Sequence, residues 1–147
     1  MADTDTLNDA LQFVKDMGLC QSTAKVNEDG TVSADQVFLN ERDFERFPVR
    51  FRRVYDFFAM GCPNLVSLDG SPEVVANRFD IRYCTSLVSL AGGPKYARSF
   101  DCAHCTSLVS LEGCPKEVEN FYCNGCGRKF TEDEVRALCN VKGNVVV

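Results

Sequence analysis

The chain lacks the sequence features that mark membrane, secreted and nucleic-acid-binding proteins. No apolar run approaches the roughly 18 residues that a membrane-spanning helix needs. The first ten residues, MADTDTLNDA, are acidic and do not show the basic and then apolar order of a signal peptide. Acidic side chains outnumber basic ones by 21 to 16, which disfavours a nucleic-acid binder. We therefore expect a cytosolic protein.

The charges are unevenly placed along the chain. Residues 1–45 carry three basic and ten acidic side chains, whereas the remainder is slightly basic. Four arginines cluster in the segment FPVRFRRV and just before it: Arg46, Arg50, Arg52 and Arg53. A basic cluster can contact phosphates, but we expect this one to solvate a connecting segment or to pair with the acidic amino-terminal part.

Nine cysteines would indicate a disulfide framework in a secreted chain. Here the number is odd, no export signal is recognised and most of the cysteines lie inside a repeat. We therefore expect reduced thiols.

The repeat spans residues 54–126 and has a period of 21 or 22 residues. Its pattern is apolar-xx-Phe-x-apolar-xx-Cys-xx-Leu-xx-Leu. The phenylalanine position holds Phe57, Phe79, Phe100 and Phe121, and the cysteine position holds Cys62, Cys84, Cys105 and Cys126. The first apolar position holds Val54, Ala76, Ala97 and Val118. Units this short cannot each bury a core, so they must stack.

Each repeat predicts one short strand and a tight return. The Phe-x-apolar step has the period of a strand. Glycines and prolines then reverse the chain, at Gly70, Gly92 and Gly113 and at Pro72, Pro94 and Pro115. About seven residues remain before the next phenylalanine, which is too few for a helix, so we expect an extended or 3₁₀ return.

These residues resemble the cysteine-bearing leucine-rich repeat LxxLxLxxCxxL, closely over residues 54–126 and loosely over residues 37–53. The turns SLEGCPKEV and the closing FTEDEVRALCNVKG are similar to short leucine-rich-repeat proteins of tailed phages. The resemblance implies an α/β leucine-rich-repeat-like solenoid with short parallel strands, and a small protein that acts in the cytosol of an infected host.

The chain is expected to form one domain, 1–147, with a cap at each end of the solenoid. The first cap covers 1–36, with an amphipathic helix over 5–17 built on Leu7, Ala10, Leu11, Val14 and Met17, and a hairpin turn at Asp29-Gly30. The repeat solenoid covers 37–130. The second cap covers 131–147, where Thr131 and Glu134 form a capping box, Val135 and Leu138 face the last turn, and residues 145–147 form a strand.

Two CxxC pairs, Cys102 with Cys105 and Cys123 with Cys126, have the spacing of a zinc site. His104 could add a ligand. The repeat offers a simpler explanation, because Cys105 and Cys126 continue the cysteine position, and the position of Cys102 and Cys123 holds Ala59 and Ile81 in other turns. We therefore expect buried core thiols, without metal or cofactor, and keep zinc and a disulfide as alternatives.

Residues between the core positions of each strand predict an outer sheet face for partner binding. Asp80 and Asp101 would lie on adjacent strands, where paired carboxylates can support acid–base chemistry, although the flanking arginines favour ion pairing. The candidate partner-binding residues are Phe58, Met60, Arg78, Asp80, Arg82, Asp101 and Tyr122.

The function expected is protein–protein interaction without catalysis, because aromatic and methionine side chains on an open face suit partner binding. The phage resemblance implies that the protein binds and inhibits or modulates a host protein or defence complex, in an anti-CRISPR-like or host-takeover role. One alternative is a zinc-stabilised module that binds nucleic acid or a nucleic-acid complex. A third is a small hydrolytic enzyme that uses Asp80 and Asp101.

Overall fold

The computed structural model describes residues 2–18 and 23–147 as a β-solenoid of about five turns with a helix at each end. Cys20 lies outside the described residues. The elements are α1 (Thr4–Asp16), β1 (Lys25–Val26), β2 (Val32–Phe38), β3 (Phe51–Phe58), β4 (Val74–Asp80), β5 (Tyr96–Asp101), β6 (Glu117–Val118), β7 (Asn120–Tyr122), α2 (Glu132–Leu138), β8 (Asn140–Val141) and β9 (Val145–Val146).

The solenoid stacks its strands in parallel, as the repeat predicts. Strands β2 to β5 pair in order, and β5 then pairs with both β6 and β7, which continue to β8 and β9. The exception is β1, which pairs antiparallel with β2 around the expected hairpin at Gly30. The parallel stack begins at Val32, inside the segment assigned to the first cap.

The phenylalanine position forms the centre of the core. Phe57, Phe79, Phe100 and Phe121 are paired in register on successive strands and have no exposed surface. Their ring centroids lie 5.2 to 5.3 Å apart. The leucine positions pack beneath them, with Leu65, Leu87 and Leu108 fully buried. The alignment of the repeat is therefore confirmed at the phenylalanine and leucine positions.

The first apolar position is wrong in one turn. Val75 is buried at this position and pairs with Val54 and Ala97, whereas Ala76 is exposed. This turn has 22 residues, and its extra residue is absorbed by a bulge in β4. Asp56 holds the bulge by accepting hydrogen bonds from Asn77 Nδ2 at 2.8 Å and from the Arg78 amide at 3.2 Å.

The return segments are turns and extended chain, and within the described residues none of them contains a helix. Gly70, Gly92 and Gly113 adopt φ of 93°, 85° and 84°, which confirms that this position needs the left-handed region.

A helix forms at each end of the solenoid, as predicted, but not all of the predicted contacts are present. In α1, Ala10, Phe13 and Val14 are buried while Leu11 is exposed. In α2 the capping box of Thr131 and Glu134 is present. Leu138 does not face the last turn, since it is 58% exposed, and Val135 and Cys139 are buried there. Neither described helix is long and apolar enough to cross a membrane.

Candidate functional site

One transverse row of side chains crosses the outer face of the sheet and contains most of the candidate residues. The strand registers align one residue from each of six strands. The row, in order from the first strand to the last, consists of Phe38, Phe58, Asp80, Asp101, Tyr122 and Val146. It is apolar at both ends and charged in the middle.

An aromatic pair forms the first end of this row. The rings of Phe38 and Phe58 are stacked, with centroids 5.2 Å apart and planes 8° from parallel. Phe38 is 52% exposed and Phe58 is half-buried. Sequence analysis named Phe58 but missed Phe38, because the first turn matches the repeat only loosely. The alternation with buried Val37 and Leu39 was the available signal.

The middle of the row is an ion-pair cluster of Arg78, Asp80, Arg82 and Asp101. Arg82 Nε lies 3.0 Å from Asp80 Oδ1, and Arg82 Nη2 lies 2.9 Å from Asp80 Oδ2. Arg82 Nε also lies 3.5 Å from Asp101 Oδ2. Arg78 approaches both carboxylates, at 3.6 and 3.8 Å. The two arginines thus bracket the two aspartates from the positions before and after the row.

The expected ion pairing is present, but the carboxylates are buried beneath the guanidinium groups instead of lying exposed. The Asp80 side chain has no exposed surface, and that of Asp101 retains 8%. The Arg82 and Ala103 amides also donate to Asp80 Oδ1 and Asp101 Oδ1. A water or substrate would have to displace an arginine to reach either carboxylate, which disfavours the acid–base chemistry considered above.

Burial raises the pKa of the Asp101 carboxyl above its ordinary value, and the Asp80 carboxylate beside it adds to this, against the Ala103 amide and both arginines. The folded state thus binds the Asp101 proton more tightly than the unfolded state does. The stability this contributes is full below the ordinary pKa of 3.8 and is lost as the pH rises through the raised value.

We therefore predict that the free energy of unfolding of Asp101→Asn rises relative to that of wild type as the pH goes from about 3.5 to 7, because the amide never ionises. Denaturant melts of both proteins at the two pH values measure the difference. Asp69→Asn, which removes an exposed carboxylate paired with Arg50, is the control. If the stability of Asp101→Asn relative to wild type instead falls towards pH 7, the arginines lower the pKa of Asp101 more than burial raises it.

The remaining candidates lie on the same face. Met60 and Arg82 occupy the positions after the row, and Arg82 Nη2 lies 3.2 Å from Met60 Sδ. Tyr122 pairs with Asp101 in the row and is half-buried. The structure thus brings all seven predicted face residues together.

The cysteine position is explained by hydrogen bonding. The thiols of Cys62, Cys84, Cys105 and Cys126 each donate to a carbonyl of the preceding turn, at 3.1 to 3.2 Å. These acceptors are the backbone oxygens of Leu39, Ala59, Ile81 and Cys102. A small thiol donor at this position therefore satisfies a backbone carbonyl in all four repeats, and it is buried in the first three.

The CxxC pairs show no metal geometry. Cys102 donates to the Tyr122 carbonyl at 3.3 Å. Zinc takes thiolates; burial raises the pKa of Cys105 and Cys123 to about 12, whereas the hydrogen bond with Cys102 lowers the pKa of Cys126. Among the described residues, no group of three or more His, Cys, Asp or Glu side chains could hold a metal ion. The eight described cysteines are free thiols.

His104 is engaged in a ring contact that sequence analysis did not foresee. It stacks on Tyr83, with centroids 4.9 Å apart and planes 10° from parallel. Both residues have positive φ, 59° and 62°. This conformation is strained for bulky side chains.

The arginine cluster does not dock as a unit on the acidic amino-terminal part. Arg50 pairs with Asp69 at 3.3 Å, in the next turn. Arg52 borders a surface cleft lined by the hairpin residues 25–29, while Arg46 and Arg53 are exposed.

Comparison of the chain with protein-family models, with curated proteins and with solved structures found no significant match in any of the three.

Proposed function

We propose that this protein is a non-catalytic protein-binding module and that the outer sheet face is its docking surface. The observation that carries the proposal is the stacked pair of Phe38 and Phe58 at one end of a continuous row. Exposed aromatic pairs of this kind bury large apolar areas when a partner covers them, and aromatic side chains dominate interface energies.

The ion-pair cluster supports a protein partner. Its two guanidinium groups are held in place by two buried carboxylates, so the centre of the face is rigid and its charges are largely balanced. A preorganised surface loses little side-chain freedom on binding. Balanced charge also lacks the surplus of basic groups that nucleic acid requires.

The class and setting of the protein form part of the same proposal. The 21-residue period, the leucine positions and the cysteine donor position support a leucine-rich-repeat-like solenoid. The resemblance of its turns to tailed-phage proteins supports a role in the host cytosol, where the protein binds and inhibits or modulates a host protein or defence complex.

The test begins with capture of partners from host lysate and identification by mass spectrometry, followed by affinity measurements with the purified partner. The double variant Phe38→Ala with Phe58→Ala should weaken binding at least about thirtyfold, because each aromatic anchor typically contributes 2 kcal/mol or more. The double variant Val66→Ala with Val88→Ala is the matched control, since these exposed residues lie in the return segments, away from the sheet.

Unchanged affinity of a folded Phe38 and Phe58 double variant would rule out this face as the docking surface. A steep salt dependence that loss of Arg50, Arg52 and Arg53 flattens would instead favour a nucleic-acid partner.

A further inference from the structure

Five residues with positive φ form a ladder at the rim of the outer sheet face proposed above as the docking surface, which we call the docking face. Each lies three residues after the end of a strand. The left-handed ladder consists of Glu41, Gly61, Tyr83, His104 and Gly125. The amides of the first four donate to a carbonyl of the next turn, at Met60, Arg82, Ala103 and Asn124, over 2.8 to 3.1 Å. These hydrogen bonds hold the five positions in register along the solenoid.

Two rungs of the left-handed ladder are aromatic rings between glycines. The Tyr83 and His104 rings stack on each other. His104 also covers the next rung, because a Cβ on Gly125 would collide with its imidazole Nδ1. Gly61 and Gly125 show that glycine can form this turn without strain. The strained backbone of Tyr83 and His104 therefore indicates that their rings have a role other than forming the turn.

The rung before Tyr83 is open. Gly61 has no side chain, and among the described residues only Glu41 Cγ, at 3.6 Å, lies within 4 Å of the place where its Cβ would be. Tyr83 is 54% exposed. Successive rungs of a parallel stack are about 4.8 Å apart. A planar group placed where a side chain of Gly61 would be, here called the position above Gly61, would therefore lie at stacking distance from the Tyr83 ring. The Glu41 side chain would lie on its other side.

The charges around this rung select the planar group. Glu41 is exposed and, among the described residues, no ion pair joins it to another side chain; Arg42, Asp43 and Glu45 follow it, so this segment carries three carboxylates against one cation. On the docking face, Arg82 is already held by Asp80 and Asp101. A guanidinium group is planar, stacks on aromatic rings and pairs with carboxylates, whereas an ammonium group has no flat face.

We propose that the position above Gly61 receives an arginine side chain of a partner protein, stacked on Tyr83 and paired with the Glu41 carboxylate. This inference rests on the proposed function and names the partner chemistry that the rim of the docking face would recognise.

The test uses two short peptides, acetyl-Gly-Arg-Gly-amide and acetyl-Gly-Lys-Gly-amide, added to the full-length ¹⁵N-labelled protein. The arginine peptide should shift the amide signals of Gly61 and Tyr83 saturably and bind at least about threefold more tightly than the lysine peptide. Tyr83→Ala and Glu41→Gln should each weaken this binding at least about threefold. Tyr55→Ala, which removes another exposed tyrosine, should leave it unchanged.

Gly61→His provides a variant that keeps the ladder and fills the open rung. His104 already adopts this backbone conformation, and the new ring would occupy the proposed arginine position. The arginine peptide should then no longer bind, while the signals of the core phenylalanines remain in place.

Three results would overturn the inference: no saturable shift at Gly61, equal binding of the two peptides, or binding that survives Tyr83→Ala in a folded protein. Each of them can occur while partner capture still depends on Phe38 and Phe58, in which case the docking face stands without this arginine site. If the arginine peptide binds as expected but capture of partners does not depend on Phe38 and Phe58, the arginine site is supported and the larger docking face is ruled out.

Discussion

Gly92→Ala should lower the free energy of unfolding by about 2–5 kcal/mol, because the new methyl group meets backbone that cannot move aside. A Cβ at this position would lie 2.6 Å from the Asp69 nitrogen and 2.8 Å from its Cα. The positive φ of 85° adds about 1–2 kcal/mol, and overpacking a tight site costs about 1–3 kcal/mol. Denaturant melts of the variant and the wild type measure the loss.

Gly61→Ala is the matched control for this prediction. Its φ of 66° is also positive, but the nearest atom to a new Cβ is Glu41 Cγ at 3.6 Å, on a flexible side chain. This variant should therefore lose only about 1–2 kcal/mol, the cost of the backbone conformation. Equal losses at Gly92 and Gly61 would show that the close approach of successive turns contributes nothing.

The sequence predicted the solenoid well because a stacked repeat ties its core to a fixed spacing. Wherever the spacing is 21 residues, the predicted inward positions are buried, except for the partly buried Cys126 in the last turn. The prediction is wrong at Ala76, where a 22-residue turn contains one extra residue. Which residue a bulge leaves out depends on local hydrogen bonds such as those made by Asp56, and the repeat pattern does not contain that information.

The end caps show the limit of helical spacing. Residues 5–17 are predicted to within one residue of α1, yet Phe13 is buried and Leu11 exposed. Several apolar stripes fit such a short helix, and the choice between them depends on how the helix docks on the first turn. Leu138 is misplaced for the same reason, since Cys139 takes the buried position.

The candidate site was predicted as a set of neighbours but not as a surface. Period-two alternation correctly puts Asp80 and Asp101 side by side. Their burial results from the arginine side chains folding over them, and such rotamers cannot be inferred from spacing. Tyr83 was overlooked because its position resembles a turn. The available signal was two aromatic residues at a position that otherwise holds glycine. The fourth residue after each phenylalanine is, in order, Gly61, Tyr83, His104 and Gly125.

Phe100→Ala should cost about 3–5 kcal/mol, the range for emptying a buried phenylalanine site. The ring has no exposed surface and lies between Phe79 and Phe121, with centroid distances of 5.3 and 5.2 Å. Its removal breaks the aromatic column in the middle, and both neighbouring turns lose contacts. Because each turn of a solenoid is stabilised by its neighbours, we also expect the unfolding transition to broaden as the two ends become less strongly coupled.

Phe38→Ala is the matched control, because it removes the same side chain from an exposed position at the end of the stack. It should cost no more than about 1 kcal/mol, mostly from the lost ring pair with Phe58. Urea melts followed by circular dichroism give both numbers. If Phe100→Ala were as mild as Phe38→Ala, the phenylalanine column would not be the core of the solenoid, and the stability of the turns would have to come from the leucine positions and the thiol hydrogen bonds.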